Sequence, residues 1–273
     1  MNPVLRPIRK VYQFFADSPF GAGTIIAHRF KVNHLLGRGS FGIAYNCIDL
    51  NTSKHYVLKQ LRPSKRNNEK DIELFYNEAS ILRKLNHMAI PNAHGQFTYK
   101  GNYFYIMDFI EGYNAEDILF EKRCQFDEMK SLLLFRKLVE IVDYLHNQRI
   151  CHGDLRIPNV ILQGNALFLI DFGLAIDLDS NTGFRQTKQG RMETGKELMK
   201  QDYFDLGDLL LFLLYSSYPK KSKKALPWTE ELSLHPLTAQ MLRRLLGIDR
   251  EYLDTKQILS DIDGILMEKT YET

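Results

Sequence analysis

Apolar positions along this 273-residue chain recur with two periods, and the change of period divides it. From Ile25 to Leu61 the pattern is that of strands. Arg29 to Leu36 leads into a glycine-rich turn, Ala44 to Leu50 follows, and Tyr56 to Leu61 reads as the next strand. Ile72, Phe75, Ala79 and Leu82 then fall at helical spacing, which predicts a helix from about Asp71 to Leu85. Tyr103 to Ile110 reads as another strand, and Glu111-Gly112 after it as a natural hinge. Beyond the hinge helices dominate. Leu134, Leu138, Ile141 or Val142, and Leu145 mark a long one over about Asp127 to Asn147. Val160 to Ile170 is an apolar run. Asp202 to Gly207 opens a very apolar helix that continues through Leu209 to Tyr215. Trp228 to Leu246 and Thr255 to Met267 read as two closing helices. The first 24 residues stand apart as an appendage. Leu5, Ile8, Tyr12 and Phe15 recur there at helical spacing with Arg6, Arg9 and Lys10 between them, interrupted by Pro3 and Pro7. This fits a strap packed on the body of the protein; the lesser reading is an interfacial helix on anionic lipid.

Composition narrows the class. With 44% hydrophobic residues the chain can bury a substantial core, as one large domain or two small ones. A formal charge of +3 is too mild to argue for a nucleic-acid partner. Cys47, Cys124 and Cys151 are odd in number, far apart and without zinc-type spacing, so a reducing cytoplasm is the expectation. No run of about eighteen apolar residues is present to span a membrane. The apolar run Val11 to Ala16 is too short for a signal peptide and stops at Asp17.

The chemistry concentrates at Cys151 to Asn159, which reads C-H-G-D-L-R-I-P-N. Asp154 and Asn159 lie five residues apart in a short loop, and the apolar run after them ends in Asp171-Phe172-Gly173. Asp, Asn and Asp at the ends of elements form an oxygen-rich set suited to a hard cation such as Mg²⁺. Upstream, Gly37-Arg38-Gly39-Ser40-Phe41-Gly42 is G-x-G-x-x-G followed by a strand, where a dinucleotide fingerprint needs a helix. A glycine hairpin can still close over phosphates, because without Cβ atoms its N–H groups approach the oxygens. Val57 and Lys59 share a strand face, and a lysine beside an apolar neighbour on an inward face needs an anion. Glu78, one turn before Leu82, is the obvious partner. Lys220, Lys221, Lys223 and Lys224 read as a solvated loop.

In this order, the glycines, Lys59, Glu78, the Asp154–Asn159 loop, Asp171-Phe172-Gly173 and the Asp202 helix resemble the eukaryotic-like (Hanks-type) protein kinase family over about residues 25–267. The chain is similar to small bacterial proteins identified as serine/threonine kinases. The resemblance implies an α+β, two-lobed fold. A small antiparallel β N-lobe with one main helix would span 25–110, and a reduced, mainly helical C-lobe 111–273. It implies ATP and Mg²⁺ as cofactors and a protein substrate, either an acidic one or the chain itself. Lys59 would hold the α- and β-phosphates and Glu78 would orient it. Asp154 would accept the hydroxyl proton, and Asn159 and Asp171 would hold Mg²⁺. Arg156, where serine/threonine kinases usually have Lys, would keep a positive charge near the transferred group. Leu36, Gly37, Arg38, Gly39, Ser40, Phe41, Gly42, Ile43, Ala44 and Val57 would enclose the nucleotide. Met107 would be the gatekeeper, while Asp108 C=O and Ile110 N–H would meet adenine. His152, tempting as a base, becomes structural, packed under the Phe172 turn.

Four departures follow. Ala44 and Val57 trade the family's large and small roof residues, which keeps the volume. Gly153 replaces the Arg that receives a loop phosphate, so phosphorylation of the loop is not expected to switch the enzyme. The segment Gly173 to Asp202 lacks Ala-Pro-Glu, and Leu253 stands about where the Arg paired with that Glu belongs. Losing both partners strands no charge. It also leaves the peptide-docking platform open. Gly183, Gly190 and Gly195 with Arg185, Lys188, Arg191, Lys196 and Lys200 make a basic stretch suited to an acidic protein or a phosphorylated small molecule. Two other readings stand beside the protein kinase. One is a small-molecule kinase, since H-G-D-L-x-x-x-N also occurs in aminoglycoside phosphotransferase relatives. The other is a nucleotide-gated pseudokinase, which predicts a missing lysine or aspartate; none is missing.

Overall fold

The computed structural model describes residues 16–40, 42–180, 192–219 and 226–271. It forms two compact units, the first ending at Ile110 and the second starting at Glu111.

In the first unit six strands form one antiparallel sheet. They are β1 (Ile25–Ile26), β2 (Phe30–Arg38), β3 (Gly42–Asp49), β4 (His55–Leu61), β5 (Ala93–Tyr99) and β6 (Asn102–Asp108), in the order β1-β2-β3-β4-β6-β5. Side chains alternate across the sheet. One face carries Ile26, Phe30, Val32, Ile43, Tyr45, Cys47, Leu58 and Phe104, all buried, with Phe20 and Phe97 packed on them. The register sets Ala44 opposite Lys59, Lys59 opposite Tyr105, and Val57 opposite Met107, so these five share the other face. The helix α1 (Glu69–Lys84) is capped by Asn68, whose side chain accepts from Lys70 N–H, and buries Phe75, Glu78, Ala79, Ile81 and Leu82. Phe75 lies 5.0 Å from Tyr105, ring to ring, which sets α1 on the Lys59 face. Strand β5, unassigned from the sequence, is an edge strand paired only with β6, and its positions alternate between half-buried and exposed. Irregular register at Val32/His34 and Leu35/Gly37 turns Leu35 and Leu36 outward, so apolar alternation fails there.

The second unit is mainly helical. It runs β7 (Tyr113–Asn114), α2 (Ala115–Phe120), α3 (Glu128–Asn147), β8 (Ile150–Cys151), β9 (Val160–Gln163), β10 (Ala166–Leu169), β11 (Ile176–Asp177), α4 (Gly195–Tyr215), α5 (Trp228–Glu231), α6 (Pro236–Leu245) and α7 (Thr255–Tyr271). The α+β expectation therefore holds, with corrections in detail. The apolar run from Val160 is a hairpin, β9 and β10, turned at Gly164 with φ +57°. Helix α4 does not open at Asp202. It starts at Gly195, where Thr194 and Glu197 form a capping box that apolar spacing does not reveal. Trp228 to Leu246 is two helices, not one. Pro236 forces His235 into an extended conformation (ψ 139°), which breaks the helix before α6. The expected helical face of residues 1–15, Phe41, the basic stretch from 181 to 191 and the lysines at 220–224 lie outside the described residues.

Gly112, the second half of the expected hinge, has φ +148°, and a Cβ there would sit 2.6 Å from Leu162 O and 2.7 Å from Ile161 Cγ2. A backbone carbonyl cannot swing aside as a flexible side chain can. Gly112→Ala should lower stability by about 1–3 kcal/mol, read by thermal unfolding of the purified protein.

Candidate active site

The first unit contributes a lysine held by a carboxylate. Lys59 Nζ donates to both Oε1 and Oε2 of Glu78 at 2.7 Å, with the side chains 13% and 4% exposed. Strand β4 points Lys59 toward α1, and α1 brings Glu78 to it. Burial of such a pair adds little net stability, whereas removing one partner strands a charge. What the pair does is fix the ammonium in place. Ala44, Val57 and Met107 lie on the same face of the sheet. At the end of β6, Asp108 spends its N–H on Asn92 O at 3.0 Å. Its carboxylate accepts from Asn92 and His94, which depress its pKa against the burial that raises it. Ile110 beyond it is half-buried.

In the glycine-rich turn, Gly39 N–H donates to Gly42 O at 2.9 Å. A Cβ at Gly37 would meet nothing within 4 Å, and one at Gly39 only Gly42 O at 3.9 Å. Protein packing does not require glycine at either position, so their effect is to leave the backbone bare toward open space. Leu36, Arg38 and Ser40 flank it, and Ile43 is turned into the opposite core. Ile43 is thereby set on the other face from Lys59, where its side chain cannot line a nucleotide as the sequence suggested; its backbone alone follows the loop.

In the second unit, the loop from His152 to Asn159 hangs from Asp202. That carboxylate is fully buried in α4 and accepts from His152 N–H (3.0 Å), Gly153 N–H (2.8 Å) and His146 Nε2 (2.8 Å). Gly153 has φ +73°, a conformation glycine adopts without steric cost. Asp154 follows. Its Oδ2 accepts from Asn159 Nδ2 at 3.0 Å and from Arg156 Nε at 3.1 Å; neither falls on Oδ1. Asn159 Nδ2 also donates to Asp154 O at 2.8 Å, so both amide hydrogens are directed to residue 154 and the amide oxygen is what remains to offer. Asp171 has φ +62°, tolerable for Asp but rare, the kind of backbone strain found at functional sites. Oxygen donors from Asn159 and Asp171 suit a hard divalent cation. His152 takes no part. It is wholly buried, its Nδ1 accepts from Asp154 N–H, Nε2 contacts Ile170 O at 3.3 Å, and its ring lies 4.8 Å from Phe172. Burial lowers its pKa and keeps it neutral. His146, Cys151 and Asp202 cluster closely enough to share an ion. The Asp202 oxygens are already committed to N–H donors and the Cys151 thiol is pushed up by burial, so the cluster reads as structural.

The family description "Protein kinase domain" matches residues 30–219. The chain belongs to the protein kinase family. It is 41% identical over 254 residues to "Probable serine/threonine-protein kinase YbdM" of Bacillus subtilis, covering 93% of this kinase and 96% of that one. It is 34% identical over 158 residues to human "Serine/threonine-protein kinase Nek11", covering 56% of this chain but 24% of that longer protein. Among solved structures, the PknI kinase domain of Mycobacterium tuberculosis superposes with a TM-score of 0.67 at 17% identity, over 90% of this chain and 99% of that one. That likeness bears on the fold: a curled antiparallel N-lobe sheet and a helical C-lobe.

The structure adds a residue of this kinase that sequence reasoning passed over. Asp205, one helical turn after Asp202, accepts from Gln201 Nε2 at 2.8 Å and from Leu155 N–H, under the catalytic loop. Its i, i+3 relation to Asp202 was the available signal. Burial, with Asp202 and Asp154 nearby, pushes its carboxyl from 3.8 up to about 6. Between those values the folded state holds a proton that the unfolded chain has released, so stability falls as pH rises through that window. Asp205→Asn keeps an acceptor and removes the titration. Its melting temperature should fall less than the wild type's between about pH 4 and about pH 7, in parallel thermal scans.

Proposed function

We propose that this kinase transfers the γ-phosphoryl group of Mg-ATP to a serine or threonine hydroxyl of a protein, with Asp154 as the proton acceptor. The observation that carries the reading is the Asp154 carboxylate. Asn159 and Arg156 hold it through Oδ2, on a loop hung from Asp202, which leaves Oδ1 for an incoming hydroxyl. In the step, the hydroxyl oxygen bonds to the γ-phosphorus, its proton passes to Asp154, and the bond to the β–γ bridging oxygen breaks to release ADP. Lys59, fixed by Glu78, holds the α- and β-phosphates. Arg156 keeps positive charge beside the transferred group. The bare backbone of Gly37 to Gly42, with Leu36 and Ile43 at its ends, covers the phosphates. Ala44, Val57 and Met107 enclose the adenine, which meets Asp108 C=O and Ile110 N–H. Asn159 and Asp171 would hold Mg²⁺, which would supply charge to offset that of the phosphates.

On this reading residues 1–24 are an appendage, 25–110 bind ATP and 111–273 carry the catalytic and activation segments. The buried free thiols of Cys47 and Cys151 suit a reducing cytoplasm. Among the described residues no helix is long and apolar enough to cross a membrane.

Intact mass after incubation with Mg-ATP tests the proposal. The wild type should gain phosphate on Ser or Thr and Asp154→Ala should not. Against an exogenous protein substrate the variant should lose about 10²–10⁴-fold in turnover with little change in KM for ATP. Phosphate on both proteins, or on tyrosine, would overturn it.

Gly153 puts no arginine immediately before Asp154 to read a loop phosphate, and Arg156 is turned onto the Asp154 carboxylate. Ser180→Ala and Thr187→Ala should each keep turnover within about twofold of wild type. A many-fold rise in activity on phosphorylation of either residue would contradict this.

A further inference from the structure

We infer that Asp17 and Arg62 are positioning residues for the glycine-rich loop, so that the segment ahead of the sheet sets how tightly ATP is held. The inference rests on the reading of that loop as the phosphate cover. Its basis is a continuous set of bonds within the first unit.

Arg62 directly follows β4 and faces two partners. Its Nε donates to Gly39 O at 2.8 Å and its guanidinium NH1 to Asp17 Oδ2 at 3.3 Å. The Asp17 side chain is 7% exposed and is itself fixed, accepting Ser64 N–H on Oδ1 and Ser64 Oγ–H on Oδ2, both at 2.9 Å. Asp17 is in turn anchored by the segment after it. Phe20 N–H donates to Tyr45 Oη at 3.2 Å, and the Phe20 ring lies 5.9 Å from Tyr45 and 6.4 Å from Phe104. Gly23 N–H donates to Val32 O, and Val32 N–H to Thr24 O. The described residues ahead of β1, from 16 to 24, are thus tied to the first unit at several points, with the buried Asp17 carboxylate aimed at Arg62.

The bond at Gly39 matters because a peptide unit is planar and trans. Its C=O and the N–H of the next residue point in opposite directions. Arg62 on Gly39 O therefore directs Ser40 N–H away from Arg62 and stops that peptide from rotating. Glycines at 37 and 39 give the turn no side-chain packing of its own, since a Cβ there would meet almost nothing. Beyond the β2–β3 pairing of Gly37 with Ala44 and Arg38 with Ile43, two bonds among the described residues restrain its tip, Gly39 N–H to Gly42 O and Arg62 to Gly39 O. A loop whose N–H groups must be arranged before phosphate arrives binds more weakly when one restraint is lost, while the catalytic loop around Asp154 is untouched. An ordinary exposed ion pair would have no such effect on a ligand.

The test uses the full chain and measures the Kd for Mg-ATP by calorimetry, with KM and kcat from turnover. Arg62→Ala leaves Asp17 its two Ser64 bonds. It should raise Kd and KM for ATP about fivefold, with kcat within about twofold. Asp17→Asn keeps an acceptor for Ser64 N–H and removes the charge that holds Arg62; it should raise both about two- to threefold. The double variant should be no weaker than Arg62→Ala alone, because both act through one bond. Arg62→Lys, a point donor that cannot serve both partners, should restore only part of the affinity. Equal ATP affinity in wild type and Arg62→Ala, or effects of the two variants that multiply, would overturn the inference. A wild type that binds no ATP would sink the loop's assignment itself, and the wild-type titration alone reveals that.

Discussion

A fully buried carboxylate organises the second unit of this kinase. Asp202 is fully buried in α4, and its charge is tolerable there because three N–H groups converge on it. Two of those groups belong to consecutive peptides of the loop that carries Asp154. The same bonds that keep the buried charge solvated therefore fix the backbone from which the proposed proton acceptor projects. His146 closes the arrangement from α3. Helix α4 must be apolar around this point, since any water reaching Asp202 would compete for the loop's N–H groups. That requirement matches the buried Leu198, Leu206, Leu209 and Leu210 on either side.

The first unit meets the corresponding problem with a sheet. Strict alternation lets β4 place Leu58 in the apolar core of the sheet and Lys59, its neighbour, on the face toward α1. A lysine there would be costly alone. Glu78 meets it with both oxygens, and the aromatic pair Phe75 and Tyr105 packs beside the contact. Neither charge is there for stability, because apolar residues would fill the same space at less cost. The energy of the fold comes from the opposite face, and it lets the Lys59 face hold a defined, charged geometry.

Periodicity and motif order made much of this legible. Lys59 and Glu78 stood out because a lysine and a glutamate on apolar faces each require a partner, and Asp154, Asn159 and Asp171 because they punctuate element ends. What stayed hidden was either irregular or polar. The exposed turn of β2 at Leu35 and Leu36 follows from a register irregularity that alternation cannot encode. The start of α4 depends on Thr194 and Glu197, a polar cap that lies ahead of Asp202 and of the apolar stretch. Strand β5 is an edge. The bond from Arg62 to Gly39 O joins a side chain to a carbonyl 23 residues away, and no local pattern marks it.

Position 153 shows how a departure from a family pattern can be read physically rather than as a loss. An arginine there would have to hold φ near +73°, at a cost of about 1–2 kcal/mol for a residue with a Cβ. Its guanidinium would also add a charge beside Asp154 that needs an anion to balance it. Glycine removes both requirements. The loop is then held by Asp202, by the Asn159 and Arg156 bonds to residue 154, and by Leu155 N–H on Asp205, none of which waits on a phosphate. A loop braced in this way takes its geometry from bonds within the second unit, without an arginine at 153 whose charge a phosphate must balance. On the function proposed above, the catalytic loop is braced by its own neighbours, while the glycine turn of the first unit has little side-chain packing to hold it and depends on bonds such as that from Arg62.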